Sequence, residues 1–269
     1  MLINHRNSGF TLIEITMVML IIVLLMTGLL PTITSQIDMQ RSTETRKNMS
    51  DINEALMGYA IVNGRLPCPA QASLATGTTN AGLEALTTSA PITCACQAAS
   101  GSNDTVAHAS NNIACAETSI TGVIPWVTLG IKETDAWERR YTYRVTSRFA
   151  DQIAANTTNC SPALTTPPVA SSFALCSPGV PDVISAATGG TAVASNVPAI
   201  FLSHGKNGLG AYLRDGSQLP VGADNDELEN SDNDNNFVSH TTTTSFDDMP
   251  AWIAPTILSN RMVAAGKLP

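Results

Sequence analysis

The feature that most constrains this chain is an uncharged apolar stretch near its N-terminus. From Ile15 to Ile37, within FTLIEITMVMLIIVLLMTGLLPTITSQI, no side chain carries a charge. As a helix these 23 residues reach about 35 Å at ~1.5 Å per residue, enough to cross a hydrocarbon core of roughly 30 Å. Ahead of them stands a short polar leader, MLINHRNSG, with His5 and Arg6 and no acid. That asymmetry favours a cytoplasmic N-terminus, with everything after the span delivered outward. The run is too long for the h-region of an ordinary secretory signal and lacks a small-residue cleavage site at its end. A plain signal anchor fits the length but leaves Glu14 unexplained. A carboxylate inside an apolar segment costs about 2.5 to 3.5 kcal/mol at the bilayer centre, less near the interface, and calls for a positive partner.

Gly9, Phe10, Thr11, Leu12, Ile13 and Glu14 together resemble the prepilin processing motif of type IV pilins and type II secretion pseudopilins. The resemblance implies that a membrane-embedded prepilin peptidase cuts between Gly9 and Phe10 and methylates the new amine on Phe10. Residues 1–9 would then be a leader that is removed. Glu14 would meet the terminal amine of a neighbouring subunit, a pairing that relieves two charges in a low dielectric and sets axial register. Gly28 and Pro31 weaken the helix within the span. The family commonly carries a proline there, which implies local extension when subunits pack. Residues 10–37 are thus expected to serve as transmembrane and assembly helix, with prepilin peptidase, other pilin or pseudopilin subunits and an inner-membrane assembly platform as partners. The implied location is the inner membrane of a Gram-negative bacterium, single-pass with a periplasmic head, and then a periplasmic or extracellular filament.

Beyond the span, Ile37, Met49, Ile52, Leu56 and Tyr59 or Ala60 recur at helical spacing, with Arg46, Lys47, Asp51 and Glu54 on other faces. This predicts an amphipathic continuation over 38–65, ended by Asn63, Gly64, Pro67 and Pro69. Residues 66–122 are rich in Ala, Ser, Thr, Asn and Gly and read as a low-complexity surface excursion. Six cysteines, Cys68, Cys94, Cys96, Cys115, Cys160 and Cys176, all follow the apolar stretch and suit disulfides in an oxidising compartment. Six cysteines allow 15 pairings, among which Cys160 with Cys176 is a plausible local closure.

Residues 123–269 are expected to form a β-sheet head. Tyr141, Tyr143, Val145 and Phe149 alternate with Arg140, Thr142, Arg144, Thr146 and Arg148, a half-buried strand with an arginine row on its open face. The preceding Asp135-Ala136-Trp137-Glu138 is similar to the Asp-Pro-Trp-Gly turn of major pseudopilins, with Glu138 where they have glycine. Val197–Ser203 reads as a buried strand and His204 as a turn histidine. Trp252 and Ile253 suggest a last strand, and 257–265 a closing helix. The fold class is therefore α+β and pilin-like, a long N-terminal helix packed on an antiparallel sheet in a disulfide-containing head.

Composition narrows the function. Charged residues are 13%, about half of what an ordinary soluble domain carries, and the net charge of −8 gives no bulk attraction to phosphates. The acidity is concentrated in 224–248, and no Lys or Arg lies between Arg214 and Arg261. Asp224, Asp226, Asp232, Asp234, Asp247 and Asp248 offer hard oxygens for which calcium is the candidate occupant, with a solvated acidic loop as the alternative. The segment fails the EF-hand pattern, although major pseudopilins carry a calcium loop in a similar place. No G-x-S-x-G elbow, H-E-x-x-H helix or phosphate-binding loop occurs, so no catalytic residues are assigned. The sequence points to a non-enzymatic structural subunit, pilin or pseudopilin and by its length a minor one, of a type IV pilus or type II secretion filament. The alternative is a minor pilin whose head binds DNA, a surface or secreted cargo through the arginine row or the excursion before Gly122.

Overall fold

A computed structural model describes residues 9–87, 93–95, 119–151 and 170–268, and within the first helix the side chains of 26–34 fall outside the description. The chain divides into two units, Met1–Thr43 and Glu44–Pro269. It is α+β: a long helix α1, Leu12–Asn63, precedes a head of short strands and helices. Asn63 ends the helix where expected, because Gly64 takes φ +73°, the left-handed conformation that closes a helix C-terminus. A Cβ there would lie 2.2 Å from the Ala170 carbonyl, so glycine is required by space as well.

The second unit is layered. Its main sheet has the order β1-β2-β5-β7, formed by Ser119–Val123, Thr142–Thr146, Ala199–Ser203 and Met249–Trp252, with every pairing antiparallel. On one face Met49, Ile52, Leu56, Met57 and Ala60 of α1 pack against Tyr143, Val145, Ala199 and Phe201, joined by Leu258 and Met262 of α5, Pro255–Ala264. The helical stripe read beyond Ile37 is therefore the one that is buried.

The other face is also covered. Ile200, Leu202 and the half-buried Trp252 pack on Val183 and Phe237 of a second sheet, ordered β4-β3-β6, from Ala192–Ala194, Asp182–Ile184 and Asn236–Val238. The β3–β6 pair is parallel, an arrangement that the antiparallel expectation lacked. Because β2 lies inside the sheet and polar side chains and loops cover its outer face, the half-buried strand of the sequence reading is corrected: Arg144, bonded to Asn233 and Asn235 ahead of β6, is 3% exposed and Arg140, just ahead of β2, is fully buried. The alternation also ends early, since Ser147–Ala150 form a helical turn, α3.

The described part of 66–122 is likewise corrected from a loose excursion. Leu66, Cys68, Ala70 and Ala72 are buried, and Cys68 is disulfide-bonded to Cys94. Arg65 at the end of α1 pairs with Glu84 through Nη1 at 2.8 Å and Nη2 at 2.9 Å. Tyr59 Oη donates to the same carboxylate at 2.7 Å and the Cys68 amide at 3.2 Å. This network holds the segment against the helix terminus. Cys176 is also disulfide-bonded, while Cys96, Cys115 and Cys160 lie outside the described residues.

At the turn before β2, Asp135 Oδ1 accepts from the amides of Trp137 (2.9 Å) and Arg139 (3.0 Å). The exposed Glu138 is thereby held at φ +65°, in the region that favours glycine. The replacement Glu138→Gly should therefore stabilise the head by about 1 kcal/mol, seen as a melting shift of about 2–4 °C. A second expectation concerns acid. Burial alone would raise the Glu84 carboxyl, but its bonds to Arg65, Tyr59 and Cys68 hold it below the ordinary 4.5. Its stabilising contribution is thus present above pH 4.5 and disappears as pH falls through the lowered folded-state value. In an acid titration followed by circular dichroism, Glu84→Gln should be less stable at neutral pH and should lose this part of the acid dependence.

Candidate functional site

Two regions carry chemistry-bearing residues, one in each unit. At the N-terminus, Gly9 and Phe10 precede α1 and are exposed. Thr11 caps the helix: its Oγ1 accepts from the Glu14 amide at 3.4 Å, while Glu14 Oε2 accepts from the Thr11 amide at 3.0 Å and from Thr11 Oγ1 at 2.8 Å. Thr11-Leu12-Ile13-Glu14 is thus a reciprocal capping box, satisfying donors that a helix start leaves open. The T-x-x-E spacing carried that signal, and the sequence reading, occupied with the acid as an assembly group, missed it.

Among the described residues a Cβ placed on Gly9 would meet nothing within 4 Å, so no described contact requires glycine at that position. From Phe10 to Leu25 every apolar side chain is exposed, Phe10 at 85%. These residues occupy all faces of the helix, so no polar face is left to meet water. Gly28 and Pro31 belong to α1, with side-chain surroundings outside the described residues. Among the described residues no helix is long and apolar enough to cross a membrane.

In the head, the six acids anticipated as calcium ligands divide into two groups. Asp224 caps the short helix α4, Asn225–Glu229, accepting from the Asp226 amide at 2.9 Å. Asp226 accepts from the Ala187 amide at 2.7 Å and pairs with His240 Nε2 at 3.1 Å. Asp232 and Asp234 accept the amides of Asp234 and Asn236 in a local turn, at 3.1 and 2.7 Å. Asp247 and Asp248, in contrast, converge with Glu227 of α4, with one carboxylate oxygen from each lying within 4.8 Å of the others.

His204 is buried at 1% exposure, directly after β5. Its Nε2 lies 2.8 Å from Thr142 Oγ1, and its Nδ1 lies 3.7 Å from Asp248 Oδ1. Burial pushes the imidazole pKa down to about 4 and raises the carboxyls of Asp248, Asp247 and Glu227, that of Asp248 well above its ordinary value. The neighbouring carboxylates push Asp248 further in the same direction. Glu227 and His204 were not singled out as ligands from sequence. Glu227 sat within the acidic run as one acid of many, and His204 is separated from it by twenty-odd residues.

Two arginines of the row, Arg140 and Arg144, are buried and bonded within the head, while Arg148 lies half-buried in α3. Arg140 donates to Glu133 Oε1 and to the carbonyls of Ala72 and Leu74, each at 2.8–2.9 Å, and its guanidinium lies 4.7 Å from the Trp126 ring. Arg144 donates to Ser119 Oγ and Asn235 Oδ1 at 3.0 Å, to the Asn233 carbonyl at 2.9 Å and to Thr121 Oγ1. Both guanidinium groups tie loops together around β2, so at Arg140 and Arg144 the expected solvated face is replaced by a buried polar network.

Residues 4–30 match the family model described as the prokaryotic N-terminal methylation motif, the signature of type IV pilin and pseudopilin precursors. The match spans the leader, the Gly9–Phe10 junction, Glu14 and Gly28. No curated protein and no solved structure matches the chain.

Proposed function

We propose that this chain is a structural subunit, a minor pilin or pseudopilin, of a type IV pilus or type II secretion filament. Prepilin peptidase removes residues 1–9 and methylates the amine of Phe10. The mature subunit is then held in the inner membrane by residues 10–37 with its head in the periplasm, and enters a filament of pilin-like subunits through the same helix. It performs no catalysis of its own.

The observation that carries this reading is the match of residues 4–30 to the methylation motif. Three features of the chain support it. Gly9 is a glycine that no contact among the described residues demands, which fits a residue selected by the peptidase that binds it. The helix start is apolar on all faces and exposed, which fits burial by lipid first and by neighbouring helices afterwards. The α+β head, with its disulfide between Cys68 and Cys94, is compatible with an exported, pilin-like domain.

Glu14 supplies the selection step. Its Oε2 already closes the capping box on Thr11. Cleavage creates an amine on Phe10, and pairing that amine with Glu14 of an adjacent subunit neutralises both charges in the filament interior. The variant Glu14→Leu should be cleaved and methylated normally and remain in the membrane. Its recovery in sheared filaments, measured by immunoblot against total cell content, should fall at least tenfold. Incorporation at the level of the unaltered protein would refute the pairing.

A further inference from the structure

Three carboxylates in one place do not by themselves make a site. Here an independent group, His204, borders the cluster through Asp248, outside the 4.8 Å grouping of the three carboxylates. Among the described residues His204 Nδ1 has no hydrogen-bond partner of ordinary geometry, although the residue is only 1% exposed and the Leu209 backbone interacts with the ring; Nδ1 lies 3.7 Å from Asp248 Oδ1. That distance is too long for a hydrogen bond. It is close to the separation of two adjacent ligands around one cation at about 2.1–2.5 Å from each. Asp248 Oδ1, in a residue with 2% exposure, and Asp247 Oδ1 are also buried and without hydrogen-bond partners among the described residues.

The remaining atoms of these side chains are held. Asp248 Oδ2 accepts from Asn230 Nδ2 at 2.8 Å, and Asp247 Oδ2 accepts from the Asn207 amide at 2.9 Å. Glu227 Oε1 accepts from the Asp247 amide at 3.2 Å and from Asn207 Nδ2. His204 Nε2 is engaged by Thr142 Oγ1 at 2.8 Å. Each group thus has one atom fixed by a neutral neighbour, as the supporting contacts around a metal ligand fix it, while His204, Asp247 and Asp248 each leave an open atom.

The backbone makes room for this convergence. Strands β5 and β7 are paired through Ser203 and Met249, which brings His204 and Asp248 side by side just beyond the strand ends. A Cβ on Gly205, which has φ +57°, would lie 2.5 Å from Asp247 Oδ1, and one on Gly222 would lie 2.9 Å from Glu227 Oε2. Glycine at both positions clears the approach of the two carboxylates. Arg139 and Lys206 place positive charge near Asp247.

We propose that Glu227, Asp247, Asp248 and His204 bind one divalent first-row transition cation, Mn2+ or Zn2+, in the head. Three carboxylates alone would suit calcium, but an imidazole nitrogen favours these borderline cations over it. The site shares only Asp247 and Asp248 with the anticipated calcium ligands. The bound cation joins α4 to the turn after β5 and the segment before β7, two segments that the β5–β7 pairing already sets side by side. The proposal is independent of the filament reading, because all four side chains lie within the second unit.

The test uses the full chain in detergent, stripped with a chelator and dialysed. Mn2+ is added and followed by loss of the free-ion electron paramagnetic resonance signal, and Zn2+ by competition. One equivalent should bind, with Zn2+ displacing Mn2+, and the melting temperature should rise on addition of either. Asp248→Asn and His204→Gln should each weaken Mn2+ binding at least tenfold, whereas Asp232→Asn, in the local turn, should not. Should Asp248→Asn fail to fold, as judged by circular dichroism, Glu227→Gln is read in its place with the same expectation. Absence of stoichiometric Mn2+ and Zn2+ binding to the folded, unaltered chain would overturn the proposal. Binding of Ca2+ alone, unaffected by His204→Gln, would overturn it equally.

Discussion

An α-helix that is apolar around its whole circumference has to be covered by something other than water, and the first turns of α1 carry such a surface. In the described residues of the first unit, nothing covers the side chains from Phe10 to Leu25. The second half of the same helix has the opposite character. Met49, Ile52, Leu56 and Ala60 are buried against the main sheet, while Asp51 and Glu54 remain at the surface. One continuous element thus has two kinds of surroundings: a protein core around its C-terminal half, and an external cover still to be supplied at its N-terminus. The proposed sequence of membrane anchor followed by filament core is a way to supply that cover twice.

The head depends on a different constraint, the burial of the central strand β2 on both faces. Arg144 projects from that strand toward the loop ahead of β6, and Arg140 enters just before it. Their guanidinium groups are saturated by carbonyls, hydroxyls and amides from loops far apart in sequence, so each acts as a connector instead of a surface charge. Arg65 and Glu84 do the same at the end of α1. Few charges are present in the chain, and several of those lie inside, in bonded sets, because a buried ion is tolerated only when its donors or acceptors are met.

What was legible in the sequence follows from this. The end of α1 at Asn63, the stripe from Met49 to Ala60, the strand ending at Ser203 and the closing helix rest on local patterns, namely helical spacing, a glycine stop and a β-branched run. They appear in the structure nearly at the expected residues. Burial of Arg140 and Arg144 was not legible, because alternation shows that one face differs from the other but not that distant loops cover it. The parallel β3–β6 pair has no local signature, since the two strands are joined only through long-range topology. For the same reason the acidic run could be recognised as oxygen-rich, while the convergence of Glu227 with His204 and with Asp247 and Asp248 depends on β5 and β7 pairing. At the N-terminus the local residues carried nearly everything, including a capping box that is visible as Thr11 and Glu14 three residues apart.

The central claim is that the junction of Gly9 and Phe10 is a processing site that turns a helix start into an assembly group. Intact-mass and peptide mass spectrometry of protein isolated from its native cells reads this directly. The account predicts a mature chain that begins with Phe10 carrying one methyl group on its amine. A chain that retains residues 1–9, or one that begins at Phe10 with an unmodified amine, would contradict it.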